Sequence, residues 1–281
     1  MKIHTGCQLL DACNHRRITY MAKLHDMFTQ ARRAQGGSSL GFVGKSKPAS
    51  KPRAAALVVE FPDFDEGSAE AAIKAGADGL LFDWDAKDTT SLDTLKKAID
   101  SAKAGSENVV CGLNITGGWE KLARENLEHL KELGVNYIVL PMHAPARLLA
   151  LEVKDLELVV SVPMQEGDMY PIFIRNLTAF DNIAAVRLDF WLAGDVGTMT
   201  IEDVLRYRAV REAVRFPALL NVQEKISEAD AYTLVTMGVQ AVILAASGTI
   251  ATLKKQITGL RELLEKVHPE DKDTPSLPGK A

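Results

Sequence analysis

The sequence predicts an α/β protein whose eight parallel strands close into one (β/α)8 barrel, preceded by an amphipathic helix and followed by a disordered tail. Three observations predict it. Eight short apolar runs alternate with charged, mostly helix-like stretches. The runs start 24, 30, 28, 19, 28, 34 and 23 residues apart, each interval long enough for a parallel crossover. A phrase that reads as a helix-to-strand turn recurs three times, as AGADGLLF (75–82), LGVNYIVL (133–140) and MGVQAVIL (237–244), with Gly76, Gly134 and Gly238 placed to stop the helix.

Taken in order, residues 1–53 form a basic N-terminal arm. From Arg17 to Ala34, the residues Ile18, Met21, Leu24, Phe28 and Ala31 recur at helical spacing, which predicts one amphipathic helix ended by Gly36 and Gly37. Residues 37–53 are rich in Gly, Ser, Pro and Lys and read as a linker. A basic, acid-poor amphipathic start also fits a mitochondrial-type presequence; a secretory signal does not fit.

Residues 54–267 carry the barrel. Its strands are expected at Ala55–Phe61, Gly79–Trp84, Val109–Ile115, Tyr137–Met142, Leu156–Val162, Ala184–Phe190, Ala218–Val222 and Ala241–Ala246. Helices are expected at Ser68–Ala75, Ser91–Lys103, Trp119–Leu133, Ile201–Val214, Glu228–Met237 and Ile250–Val267. The 19-residue interval offers only PARLLALEVKD, so its helix should be short. Residues 268–281, with three prolines and no apolar periodicity, read as a flexible tail. A doubly wound open sheet is the competing fold, but the turn after the first strand is Phe61-Pro-Asp-Phe-Asp rather than a glycine-rich phosphate loop.

Composition narrows the class. The 281 residues are 47% hydrophobic, yet no apolar run approaches the ~18–20 residues of a membrane span. Three cysteines do not make a disulfide framework, which points to a reducing, cytoplasmic setting. The net charge of −4 divides into +8 on residues 1–53 and −12 on the remainder. Attraction between the two predicts that the arm plugs the barrel or packs on a second subunit of a homo-oligomer. Nucleic-acid binding is disfavoured, because no binding motif or interleaved aromatic platform accompanies the basic residues.

The layout of residues 54–267, with the GADGLLF and GVQAVIL phrases, resembles TIM barrels of the broad phosphate-binding and flavin-dependent kind. The resemblance implies the fold; those phrases are common to many barrel families.

In such a barrel the active site lies at the C-terminal strand ends, where residues two apart share a face. Glu60, Asp83, Asn114, His143, Ser161, Arg187, Asn221 and Ser247 fall at that end. Asp85, Asp189 and Gln223 share faces with Asp83, Arg187 and Asn221. Arg187 interrupts an apolar strand and needs a partner among Glu60, Asp83 and Asp189. It is either part of a structural ion-pair network or a clamp for a substrate carboxylate or phosphate. Asp83 and Asp189 are candidate bases, and His143 is a candidate proton carrier. Glu60, Asp83 and Asp189, with Asp85, are also candidate oxygen ligands for Mg²⁺ or Mn²⁺. Asn114, Asn221, Ser247 and Gly248 are candidate substrate contacts.

The Ser247-Gly248-Thr249 turn before a helix suits an anion, but Asn221-Val222-Gln223-Glu224-Lys225 lacks the matching glycine, which weakens phosphate and FMN binding alike. No strand contains a lysine, so Schiff-base aldolase chemistry is disfavoured; Lys87 and Lys225 fall in loops. Cys111 reads as a buried hydrophobe, and the aromatics Trp84, Trp119, Phe190 and Trp191 as either a pocket roof or loop packing. Residues 192–198 read as a lid or an ordinary loop. The functional expectation is a lyase, aldolase-like or isomerase enzyme acting on a small carboxylated or phosphorylated metabolite. The alternatives are a non-catalytic barrel with an assembly role and an FMN-dependent oxidoreductase.

Overall fold

A computed structural model of the chain describes residues 23–33, 51–106, 108–164, 167, 169–189, 196–222 and 226–267. Eight strands are present: β1 (Ala56–Phe61), β2 (Gly79–Asp85), β3 (Val110–Gly117), β4 (Tyr137–Pro141), β5 (Glu157–Pro163), β6 (Ile183–Asp189), β7 (Ala218–Val222) and β8 (Ala241–Ala245). Each pairs in parallel with the next and β8 returns to β1, so the sheet closes as a TIM barrel and leaves no unpaired edge. Every strand lies within two residues of its expected run.

The helices among the described residues are α1 (Lys23–Arg32), α2 (Glu66–Ala75), α3 (Leu92–Gly105), α4 (Arg124–Leu133), α5 (Tyr170–Ile174), α6 (Ile201–Val214), α7 (Glu228–Met237) and α8 (Ile250–Lys266). None is long and apolar enough to cross a membrane. Between β4 and β5 the short interval forms only a 3-10 turn, Ala146–Ala150. The stretch expected to be helical from Trp119 instead opens with a 3-10 turn, Trp119–Lys121, before α4. The expected helical start at 17–22, the linker at 34–50 and the tail at 268–281 lie outside the described residues.

The recurring αβ phrase does more than stop helices. The second residue after the left-handed glycine is polar and reaches back to the preceding strand. Asp78 Oδ2 accepts from the Leu57 N–H at 2.7 Å, Asn136 Oδ1 from Cys111 at 2.9 Å, and Gln240 Oε1 from Ala218 at 2.7 Å. Each of these residues also donates its own N–H to the carbonyl of the same partner, at 2.8, 2.7 and 3.0 Å. Three strand starts are thus clamped by one device, which satisfies buried backbone groups at the floor of the barrel.

Two apolar cores flank the sheet. The outer core lies between strands and helices. The inner one fills the barrel with Val58, Leu81, Val139, Val159, Leu219 and Ile243, and α1 adds Leu24, Met27, Phe28 and Ala31 from below. The amphipathic helix of the basic arm therefore plugs the N-terminal end of the barrel. Its C-terminal end is fixed where Arg32 donates to the Val239 carbonyl at 3.0 Å. Arg53, returning from the arm, donates its N–H to the Ala31 carbonyl and forms a two-pronged pair with Asp78 at 2.6 and 2.5 Å.

At the other end of the plug, Glu157 of β5 accepts the Leu24 N–H at 3.0 Å, a carboxylate facing the positive end of a helix. Burial nonetheless raises the Glu157 carboxyl above its ordinary value; Asp26 adds to the rise and the Leu24 bond opposes it. Stability linked to this group is therefore full below the unfolded value of about 4.3 and is lost as pH climbs through the folded value. Glu157→Gln keeps an acceptor for Leu24 and removes the charge. Urea unfolding at a series of pH values should find this variant more stable than the parent at pH 7, with a flatter profile upward from about pH 4.

Candidate functional site

Alternation along the strands decides what faces the barrel mouth. Two residues beyond the inner apolar positions Val58, Leu81, Val159, Ala185 and Leu219 stand Glu60, Asp83, Ser161, Arg187 and Asn221. Asn114 joins this layer as the register partner of Asp83. Pro141 and Ala245 complete it by the same alternation. An apolar interior thus ends abruptly in a polar layer at the C-terminal strand ends.

Within that layer the groups are paired. Arg187 Nη1 and Nη2 donate to the two carboxylate oxygens of Glu60 at 2.6 and 3.0 Å, and Nε donates to Asn221 Oδ1 at 3.1 Å. Asn221 Nδ2 also donates to Glu60, at 3.4 Å. The ion pair is largely withdrawn from water, with side-chain exposures of 14% and 11%. Of the three partners expected for Arg187, the structure selects Glu60, across the barrel axis. These bonds use three of the five guanidinium N–H groups and leave two for a ligand. On the neighbouring strands, Asn114 Nδ2 donates to Asp83 Oδ1 at 2.7 Å.

The remaining candidates divide. His143 lies just past β4, exposed, with its ring edge-on to Trp119 at 4.9 Å between centroids. Asp189 ends β6 one alternation above Arg187, and its carbonyl accepts the Met164 N–H at 3.1 Å. Ser247 is half-buried, and Gly248 is exposed in the left-handed region at φ 72°. The turn leads to Thr249, which caps α8 by accepting the Thr252 N–H. A 17-residue helix thus begins a few residues after β8 ends, with its amino end at the side of the barrel where the strands finish.

Asp85 leaves the site. The register shifts at Trp84/Asp85, and the exposed Asp85 carboxylate accepts the Lys87 N–H at 2.9 Å as a loop staple. Among the described residues no three His, Cys, Asp or Glu side chains are grouped to hold a metal ion. Glu60, Asp83 and Asp189 are not assembled as such a set, since both Glu60 oxygens serve Arg187. Trp84 is buried in the outer core and donates to the Asp88 carbonyl, so it packs the loop after β2 and lines a small cavity against α4. Burial pushes the Cys111 thiol up to about 12, which keeps it protonated and chemically quiet. Phe190, Trp191, residues 192–195, Gln223 and Lys225 lie outside the described residues.

Two contributors escaped the sequence reading. Tyr137 of β4 lies inside the barrel within electrostatic reach of Glu60 and Arg187; its hydroxyl is buried without a hydrogen-bond partner, and burial raises its pKa. Arg147 donates to the carbonyls of Leu122, Trp119 and Glu120 at 2.5, 3.0 and 2.8 Å, fixing the loop that sets Trp119 against His143.

No family model matches the sequence, and no curated protein matches it. Solved structures do share the fold. Native KDPGal is similar with a TM-score of 0.53 and 10% identity, over 80% of this chain and 98% of that one. Tryptophan synthase of Mycobacterium tuberculosis follows at 0.52 and 13%, over 76% and 93%. An HpcH/HpaI aldolase from Desulfitobacterium hafniense DCB-2 gives 0.48 and 14%, over 75% and 93%. What the first two have in common with the chain is the barrel.

Proposed function

We propose that the chain is an enzyme of the lyase, aldolase-like or isomerase kind, acting at the barrel mouth on a small carboxylated or phosphorylated metabolite. One observation carries the reading: Glu60, Asp83, Asn114, Arg187 and Asn221, from five strands, form a single polar layer over an apolar interior. Such a layer is expensive to maintain for packing alone. Arg187, oriented by Glu60 and Asn221, presents its two remaining N–H groups to an anion or to oxygen charge developing beside a carbonyl. Asp83, held by Asn114, is the proton acceptor, and His143 at the rim carries the proton away. Asp189, Ser247 and Gly248 border the ligand, with the amino end of α8 as a second anion contact. The eight strands contain no lysine, which favours chemistry without a Schiff base. We place the protein in the cytoplasm, where its thiols stay reduced.

A second reading, a structural network without chemistry, is favoured by the ligand-free pairing of Glu60 with Arg187 and of Asp83 with Asn114. Thermal-shift measurements against small keto acids, phosphate, Mg²⁺ and Mn²⁺ separate the two. At a ligand concentration of 100 Kd the enzyme reading expects about 2.7 kcal/mol of stabilisation, a rise of roughly 5–10 °C. Asp83→Asn should keep that shift and abolish turnover. If no carboxylate or phosphate compound moves the transition, the structural network stands.

A further inference from the structure

We infer that the outer face of α5 and α6 is a docking surface for a second copy of this chain. Both helices carry two apolar faces where a barrel helix needs one. In α5 the inward pair is Tyr170 and Ile174, with the Tyr170 hydroxyl donating to the Pro163 carbonyl of β5. Ile172 and Phe173 of α5 and Met169 just ahead of it are 60%, 60% and 69% exposed, Phe173 with one face of its ring stacked on Tyr170 at 6.4 Å between centroids. In α6 the inward residues are Tyr207, Val210 and Val214. Ile201 and Leu205, one turn apart, point outward with exposures of 82% and 64%.

The two helices are packed neighbours on the outside of the barrel, and the exposed apolar residues of both belong to the proposed surface. A large apolar side chain offers roughly 150–250 Å² when free. These five therefore leave on the order of 600 Å² uncovered, at the upper limit for a monomer and near the ~800 Å² a side of a stable dimer.

The charges around the patch select the partner. Its rim on α6 is an i,i+4 pair, Glu202 with Arg206 at 2.5 Å, with Asp203 nearby on the same helix. Arg175 follows α5. A rim with two acids and two arginines is electrically balanced, unlike the basic border that holds a helix on an anionic membrane. An apolar centre inside a balanced rim is complementary to itself, the requirement of a two-fold, isologous contact.

Sedimentation velocity of the full chain from 1 to 100 μM is the test. The expected result is a dimer. Phe173→Asp and Leu205→Arg should each weaken it at least 100-fold while leaving circular dichroism and the thermal transition of the monomer unchanged. Tyr232→Asp, at an exposed apolar position on α7, should leave the dimer intact. A chain that stays monomeric throughout overturns the inference. So does a dimer indifferent to both α5 and α6 variants, which would place the contact elsewhere. Binding of a monomeric chain to phosphatidylcholine/phosphatidylserine vesicles, lost in Phe173→Asp, would overturn it in favour of a membrane surface.

Discussion

Arg187→Ala is expected to remove about 3–5 kcal/mol of folding stability. The loss would come from what remains. Glu60 holds its charge at 11% side-chain exposure, with both carboxylate oxygens aimed at the guanidinium. Without Arg187 only the 3.4 Å bond from Asn221 answers that charge. Replacing both partners by apolar residues, as in Glu60→Leu with Arg187→Met, should recover most of the loss, because a buried pair recovers little more than its own desolvation. Urea unfolding of the two single variants and the double one closes a thermodynamic cycle. A loss below about 1 kcal/mol for Arg187→Ala would put the pair in the class of screened surface contacts and would mean that water fills the mouth. The double variant also bears on chemistry: a barrel that folds fully yet shows no ligand-induced shift assigns the pair to binding.

Gly112→Ala should be as damaging, for a steric reason. A β-carbon there would stand 2.2, 2.4 and 2.6 Å from three ring carbons of Tyr137. The ring cannot retreat, since it is fully buried in the inner core with Leu24, Met27 and Phe28 of the plug. Overpacking of this kind costs about 1–3 kcal/mol, and contacts so short belong at or beyond the upper end. Tyr137→Leu in the same chain should restore a soluble, cooperative fold. Tyr137→Phe alone is expected to stabilise by about 1 kcal/mol, because it keeps the ring and removes a buried hydroxyl without a partner. Chemical denaturation of these three variants measures all of this. Destabilisation by Tyr137→Phe would show that the hydroxyl is satisfied, by internal water or by the Glu60–Arg187 pair.

The barrel was legible because its signals are local. Buried parallel strands announce themselves as apolar runs, and the two-residue alternation puts Glu60, Asp83, Arg187 and Asn221 on the inner face without knowledge of the fold. Which acid meets Arg187 was not legible, since Glu60 is 127 residues away and is brought opposite only when the sheet closes. Asp85 was misplaced by the same alternation, because the register shift beside it is a property of two strands together. In the recurring αβ phrase the glycines were readable from their position alone. The roles of Asp78, Asn136 and Gln240 were not, because their partners stand 21–25 residues upstream. The outward faces of α5 and α6 were hidden as well: apolar residues on both sides of a helix leave no single stripe to read.

The plug imposes an order of events on folding. Helix α1 is made before any strand of the barrel, but its contacts belong to segments made much later: Glu157 lies 133 residues beyond Leu24, and Val239 lies 207 residues beyond Arg32. The helix cannot complete these contacts until the segment that carries Val239 has been made. Its docking is therefore a late, long-range step with a high entropic barrier. Until then the inner core stays open from below, and a barrel whose plug has not yet docked is the species most exposed to aggregation.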